Sequence, residues 1–141
     1  MDNKANYRIT PRQSELAVRI VGKSQAALFV NAAVALFDVM TDRDKIEAKE
    51  RLNLEVEGSD RDDLLVNWLR ELLYLYQGSA FLLKEFIIQE IKDTVVKAEV
   101  EGEKLDPDRH EIKRELTAVA YHQSHMQKTG DQWIAQVIFE V

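Results

Sequence analysis

The chain contains no cysteine. Disulfides, thiol catalysis and cysteine-ligated zinc are thereby excluded, and a reducing cytoplasm is the expected setting. Only five glycines and two prolines are spread over 141 residues. None cluster into a phosphate-cradling loop, and neither a nucleophile elbow nor a His-Glu-x-x-His zinc helix is present. Positive charge is in deficit: 19 Lys and Arg stand against 25 Asp and Glu, a net charge of −6. Broad binding to nucleic acid draws its affinity from Lys and Arg displacing counterions, so direct nucleic-acid binding is not expected. No apolar run approaches the ~20 residues that span a bilayer. The opening Met1 to Tyr7 lacks the apolar core of a signal peptide, so a soluble chain without a membrane partner is expected.

Hydrophobic residues make up 45% of the chain, enough for one core, and residues 1–141 read as a single domain whose polar residues 1–6 are expected to be loose. Asp62 to Tyr76 is the dominant stretch. At about 100° per residue, Leu64, Leu65, Trp68, Leu69, Leu72, Leu73 and Leu75 fill a wide apolar arc, leaving Asp63, Asn67, Arg70 and Tyr74 as a narrow polar band. A largely buried helix over about 61–77 follows, with Ser59 or Asp60 as N-cap and Gly78 as its stop. Ser24 caps a second apolar helix over about 24–40, interrupted only by Gln25, Asn31 and Asp38. Asp38 falls in the last turn, where the helix dipole disfavours a carboxylate.

Strand periodicity fills most of the rest. Tyr7 to Thr10 reads as a short strand, and Leu16, Val18 and Ile20 alternate on one face of the next. Lys45 to Val56 alternates charged with apolar residues, which implies one face in water. Phe81 to Ile91 and Val95 to Glu101 add strands, and Leu116 to Met126 and Gln132 to Val141 flank hairpin chemistry at Lys128 to Asp131. The order of elements predicts an α+β fold: a mixed, largely antiparallel sheet with both long helices packed on one face.

Residues able to do chemistry are few. His122 and His125 fall on opposite faces of one strand and cannot share a metal without a bulge, so both read as ordinary surface or hydrogen-bonded histidines, as does His110. The basic cluster Lys104, Arg109, His110, Lys113 and Arg114 is interleaved with acids and reads as a solvated face. Glu15 begins one strand and Glu140 ends another. Two such carboxylates with a main-chain carbonyl suit a hard cation such as Ca²⁺ or Mg²⁺.

Several segments, in order, carry a family resemblance. Trp68-Leu-Arg-Glu-Leu-Leu-Tyr-Leu75, Ala35-Leu-Phe-Asp-Val-Met-Thr-Asp42, Arg109-His110, Ala118-Val-Ala-Tyr-His122 and Val137-Ile-Phe-Glu-Val141 resemble the archease family, accessory proteins of RtcB-type tRNA-splicing RNA ligases. The resemblance implies a non-enzymatic partner that promotes guanylylation of the ligase and its multiple turnover, with a chaperone-like role towards nucleic-acid-processing proteins as the alternative. It also implies a divalent cation, Ca²⁺ by family similarity, held by Glu15, Glu140 and the carbonyl or carboxylate of Val141. The chain departs from the family at these functional positions. Arg12-Gln13-Ser14-Glu15 aligns with the family's His-Thr-Ala-Asp, Glu140 stands where the family has a second Asp, and Thr117 replaces a lysine whose charge and reach threonine lacks.

Overall fold

The computed structural model describes residues 6–141. The expected looseness of residues 1–5 lies outside them. Asn6 itself is held, since its carbonyl accepts the Val21 N–H at 2.9 Å.

Seven strands and two long helices follow in the order β1 (Tyr7–Pro11), β2 (Glu15–Gly22), α1 (Gln25–Met40), β3 (Glu50–Glu57), α2 (Arg61–Ser79), β4 (Phe81–Ile91), β5 (Val95–Lys104), β6 (Ala118–Thr129) and β7 (Gln132–Glu140). The fold is α+β as expected, but the strands form two sheets, β1-β2-β7-β6 and β3-β5-β4. Every described strand pairing is antiparallel. Strands β3 and β4 form no ladder with each other, because β5 inserts between them and pairs with both. The two strands run in the same direction without touching.

Both helices cover the inward face of the four-stranded sheet. Leu16, Val18, Ile20, Val137 and Phe139 join Leu28, Phe29, Leu36, Leu64, Trp68 and Leu72 in one buried core. Trp68 is fully buried and its indole N–H donates to the Phe29 carbonyl at 3.0 Å, so the polar atom that burial would orphan is satisfied. The outward face of the same sheet carries a separate small cluster, Ala17, Ala120 and Ile138.

The α2 N-terminus is capped by Asp60, whose carboxylate accepts the Asp63 N–H at 2.9 Å, while Asp63 accepts the Ser59 N–H at 2.8 Å. Gly78 does not stop the helix. It runs on to Ser79, and Ala80 takes the left-handed cap conformation at φ 55°. Strand β3 also starts later than the alternation from Lys45 suggests. Arg43–Lys45 is a 3-10 turn, and the Glu47 N–H donates to the Glu103 carboxylate at 2.7 Å instead of a neighbouring strand. Between β6 and β7 the loop is tighter than expected: Thr129 pairs with Gln132, leaving Gly130 (φ 62°) and Asp131 to turn the chain.

Candidate functional site

The antiparallel register of β2 and β7 places Glu15 directly opposite Glu140. Direct partners on adjacent strands project to the same face, here the outward one, beside Ala17, Ile138 and Ala120. Like charges in this relation repel, so the pair calls for a compensating positive group. Local bonds fix both backbones. The Arg12 N–H donates to the Glu15 carbonyl at 2.8 Å, closing the turn from β1, and the Val141 N–H donates to the Ser14 carbonyl at 3.0 Å. Val141 thus lies beside the pair, tied to the β1–β2 turn.

Two residues complete the neighbourhood. Thr117 donates to the Glu140 carbonyl from its N–H at 2.8 Å and from its hydroxyl at 3.2 Å. Glu15, Thr117 and Glu140 therefore meet at one end of one sheet. His122 is the addition that periodicity missed. Its Nε2 lies 3.0 Å from Glu15 Oε2, and one ligand atom from each of Glu15, His122 and Glu140 falls within 4.8 Å of the others.

A bulge brings His122 there. Ala120 pairs with Ile138 and His125 pairs with Gln136, so β6 spends five steps where β7 spends two. Gln123 within the excursion adopts φ 59°, a conformation a side chain ordinarily resists. Several contacts hold it: Arg12 donates to the Gln123 side-chain oxygen at 2.9 Å, Gln136 to the Gln123 carbonyl at 2.9 Å, and the Ser124 hydroxyl to the Ala120 carbonyl at 2.9 Å. Tyr121 is anchored on α2 by donating to Asn67 at 2.8 Å and lying 4.6 Å beneath the Arg70 guanidinium. A strict two-residue alternation separates His122 from His125. The bulge removes the premise, and His122 joins two carboxylates rather than its fellow histidine.

The Arg109-His110 pair lies elsewhere: Lys104, Lys113 and Arg114 of the basic cluster are exposed as expected, whereas His110 is buried and Arg109, half-buried, bonds inward. His110 is buried, and its Nδ1 accepts the Asp106 N–H at 2.9 Å. The proton of the neutral ring therefore sits on Nε2, which faces the Lys45 carbonyl at 3.0 Å and the Glu103 carboxylate at 3.1 Å. Arg109 bonds the other Glu103 oxygen. Burial alone would push the Glu103 carboxyl up, but the Glu47 N–H, the Arg109 guanidinium and His110 together hold it down at about 2. This cluster fastens the long connection between β5 and β6, which also leans on Met40 through the Lys113 N–H at 2.7 Å and on Thr41 through the Glu111 carbonyl at 2.7 Å. Thr117 lies at the end of that connection.

Asp38 likewise has a structural partner: it accepts the Tyr7 hydroxyl at 2.8 Å, with Arg43 at 3.7 Å. Asn31 donates to the Val21 carbonyl at 2.8 Å. An open groove of about 530 Å³ lies beside the candidate site, lined by Tyr76, Gln77, Leu105, Glu115 and Thr117 among others. There burial and the adjacent Glu115, 2.6 Å away, push the Tyr76 phenol up to about 12.

These features define a small two-sheet α+β protein with an open carboxylate–imidazole cluster on one sheet's outer face. The model of the Archease protein family matches residues 7–141, and the chain belongs to that family. It is similar to the protein archease of Pyrococcus abyssi, 37% identical over 91% of this chain and 93% of that one. The protein archease of Methanopyrus kandleri is 33% identical over 91% of this chain and 94% of its own. Among solved structures, Methanobacterium thermoautotrophicum protein 1598 superposes with a TM-score of 0.82 at 29% identity, covering 96% of this chain and 99% of that one. A Thermotoga maritima archease, described as a possible chaperone, shares the fold with a TM-score of 0.63 at 17% identity, over 89% of each chain. No described helix is long and apolar enough to cross a membrane.

Proposed function

We propose that this chain is a non-enzymatic accessory protein of an RtcB-type RNA ligase. In this reading it promotes ligase guanylylation and repeated turnover in tRNA splicing or RNA repair, and it works in the cytoplasm. The observation that carries the reading is the convergence of Glu15, Thr117 and Glu140 at one end of the four-stranded sheet.

The donor set fits a divalent cation. Two facing carboxylates supply negative charge, and Val141 lies beside them. A cation held by Glu15 and Glu140, with Val141 contributing main-chain oxygen, would neutralise the pair and tie β7 to the β1–β2 turn. Both side chains are one methylene longer than the aspartates of the family pattern, and the flexible coordination of Ca²⁺ accommodates such a change. The ligase would be met by protein contact, since the net charge of −6 disfavours direct RNA binding.

The test is multiple-turnover RNA ligation by the RtcB-type ligase of the same source at fixed Mn²⁺ and GTP. Substoichiometric chain is expected to accelerate it, and Glu140→Ala to abolish that acceleration while unfolding at the same temperature. A competent ligase that ignores the wild-type chain would overturn the proposal. A second reading, a chaperone-like binding protein that no longer activates the ligase, is favoured by Thr117. Its hydroxyl is occupied with the Glu140 carbonyl and supplies no charge. Gain of activation in Thr117→Lys, from an inactive wild type, would support that second reading.

A further inference from the structure

We infer that the exposed edge of β3, with the cleft between it and α2, docks an extended basic segment of a partner protein as an added strand. The inference stands apart from the Glu15–Glu140 site and from the reading of the chain as a ligase accessory. Strand β3 is an outer strand of the three-stranded sheet. Its Val56 pairs with Val96, and the Gly58 N–H donates to the Thr94 carbonyl at 3.0 Å. Alternation in an antiparallel ladder then turns the main-chain N–H and C=O groups of Asn53, Glu55 and Glu57 away from β5. The Glu57 carbonyl bears out this direction by accepting the Asn67 side-chain N–H from α2 at 2.9 Å. Among the described residues, no hydrogen bond reaches the outward main chain of Asn53 or Glu55.

Beside this edge opens a cleft of about 490 Å³, lined by Glu55, Glu57, Arg70, Glu71, Tyr74 and Tyr121 among others. Tyr121 belongs to β6, an outer strand of the other sheet, so the cleft separates two sheet edges over the exposed side of α2. Tyr74 and Tyr121 are the most exposed large hydrophobic side chains of the described residues, at 65% and 54%. Exposed aromatics gathered at one cleft are the mark of a contact surface. A strand added about 4.8 Å from β3 would alternate its side chains as β3 does. One row would face inward beside the half-buried Leu52 and Leu54, towards the tyrosines. The other would lie beside the exposed Glu55 and Glu57.

Charge selects the occupant. Among the described residues no ion pair engages Glu55, Glu57 or Glu71, whereas Arg51 is taken up by Glu99 and Glu101. Lys97 stands opposite Glu55 in the register with no ion pair between them. Lysine or arginine in the outer row of the added strand meets these carboxylates. A second copy of this chain, pairing through β3, would set Glu55 and Glu57 against their own kind. The tyrosines and Arg70 could stack bases, but RNA phosphates would then sit among carboxylates. Main-chain pairing supplies affinity and the side-chain rows supply specificity, so the fitting segment alternates basic with apolar residues.

The experiment is equilibrium binding of a blocked, fluorescently labelled octapeptide alternating lysine and valine to the full chain. A glutamate–valine octapeptide and octauridylate are the comparators. The lysine–valine peptide is expected to bind at least about tenfold more tightly than either. At saturation the amide resonances of Asn53 and Glu55 should shift, and their hydrogen exchange should slow by at least about tenfold. The exposed double variant Glu55→Lys, Glu57→Lys should bind the peptide at least about tenfold more weakly. Asn53→Pro removes an outward N–H without changing charge, a change an edge strand tolerates, and should lose at least about fivefold in affinity. A peptide that does not bind, that binds the double variant unchanged, or that leaves the Asn53 and Glu55 amides unmoved would overturn the proposal. So would octauridylate binding more tightly than the peptide, which would make the cleft a base-stacking site. A dimer in sedimentation that Asn53→Pro dissolves would overturn it too, making the edge a self-association face. No arm reads ligation, so failure here leaves the ligase reading standing.

Discussion

Replacing Glu103 by Gln should unfasten the connection that leads to Thr117, and the loss should depend on pH in a defined direction. The Glu103 side chain is 5% exposed, and its two oxygens receive the Glu47 N–H, Arg109 and His110. Glutamine keeps one acceptor and turns a second oxygen into a donor aimed at groups that already donate. The wild-type carboxyl is lowered from 4.5 to about 2 in the folded protein. At about 1.4 kcal/mol per unit, that charge contributes on the order of 3 kcal/mol to stability near neutrality. Because the folded value is the depressed one, the contribution is complete above the unfolded value of about 4.5 and is lost as pH falls towards 2. Urea unfolding of both proteins at pH 7 and at stepped pH values down to about 2 measures it. Glu103→Gln is expected to be less stable by about 2–3 kcal/mol at pH 7, with the gap closing as the wild type is acidified. A gap below about 0.5 kcal/mol at pH 7, or one that stays constant with pH, would refute the assignment of Glu103 as a charged clamp.

Other outcomes can be checked by the same unfolding measurement. Ala80→Gly should stabilise by about 1 kcal/mol, because Ala80 holds the left-handed cap of α2 at φ 55° and glycine adopts it without steric cost. Gly102→Ala should cost about 3 kcal/mol or more, since its Cβ would lie 1.9 Å from the Leu82 carbonyl oxygen on the paired strand, where only backbone movement makes room. Without divalent cations, Glu140→Gln should leave stability unchanged or raise it by up to about 1 kcal/mol by relieving the repulsion across β2 and β7. Adding the cation should raise the wild-type midpoint and not that of Glu140→Gln.

The helices were legible because their signals are redundant. Trp68 and its leucines repeat at helical spacing for four turns, and Ser24 and Asp60 mark the starts. The α2 stop was misplaced because glycine is the usual left-handed residue, whereas here Ala80 takes that role one turn beyond Tyr76. Sheet partition was hidden, since periodicity says which residues share a face but not which strands pair. The resemblance led to Glu15 and Glu140, and the β2–β7 register sets them opposite each other. His122 escaped because strict alternation assumes an unbroken ladder. The three extra residues of β6 carry no glycine or proline to announce them, and their anchors, Arg12, Asn67 and Gln136, are remote in sequence. The burial of His110 and the inward bond of Arg109 were equally invisible, because interleaved acids look the same whether they solvate a surface or bond inward.

Strand β7 lies between β2 and β6, which have no ladder of their own. The β1–β2 hairpin formed early in the chain must therefore wait for a strand encoded near its other end before the four-stranded sheet exists. Contacts of such sequence separation close slowly, and until they close β2 presents an unpaired edge. The Glu15–Glu140 pairing is the terminal rung of that closure. Occupying it with a ligand at a hundred times its dissociation constant would favour the closed sheet by about 2.7 kcal/mol. Whatever binds there would act as a latch on the step that completes the fold, and its release would loosen the sheet first along β7.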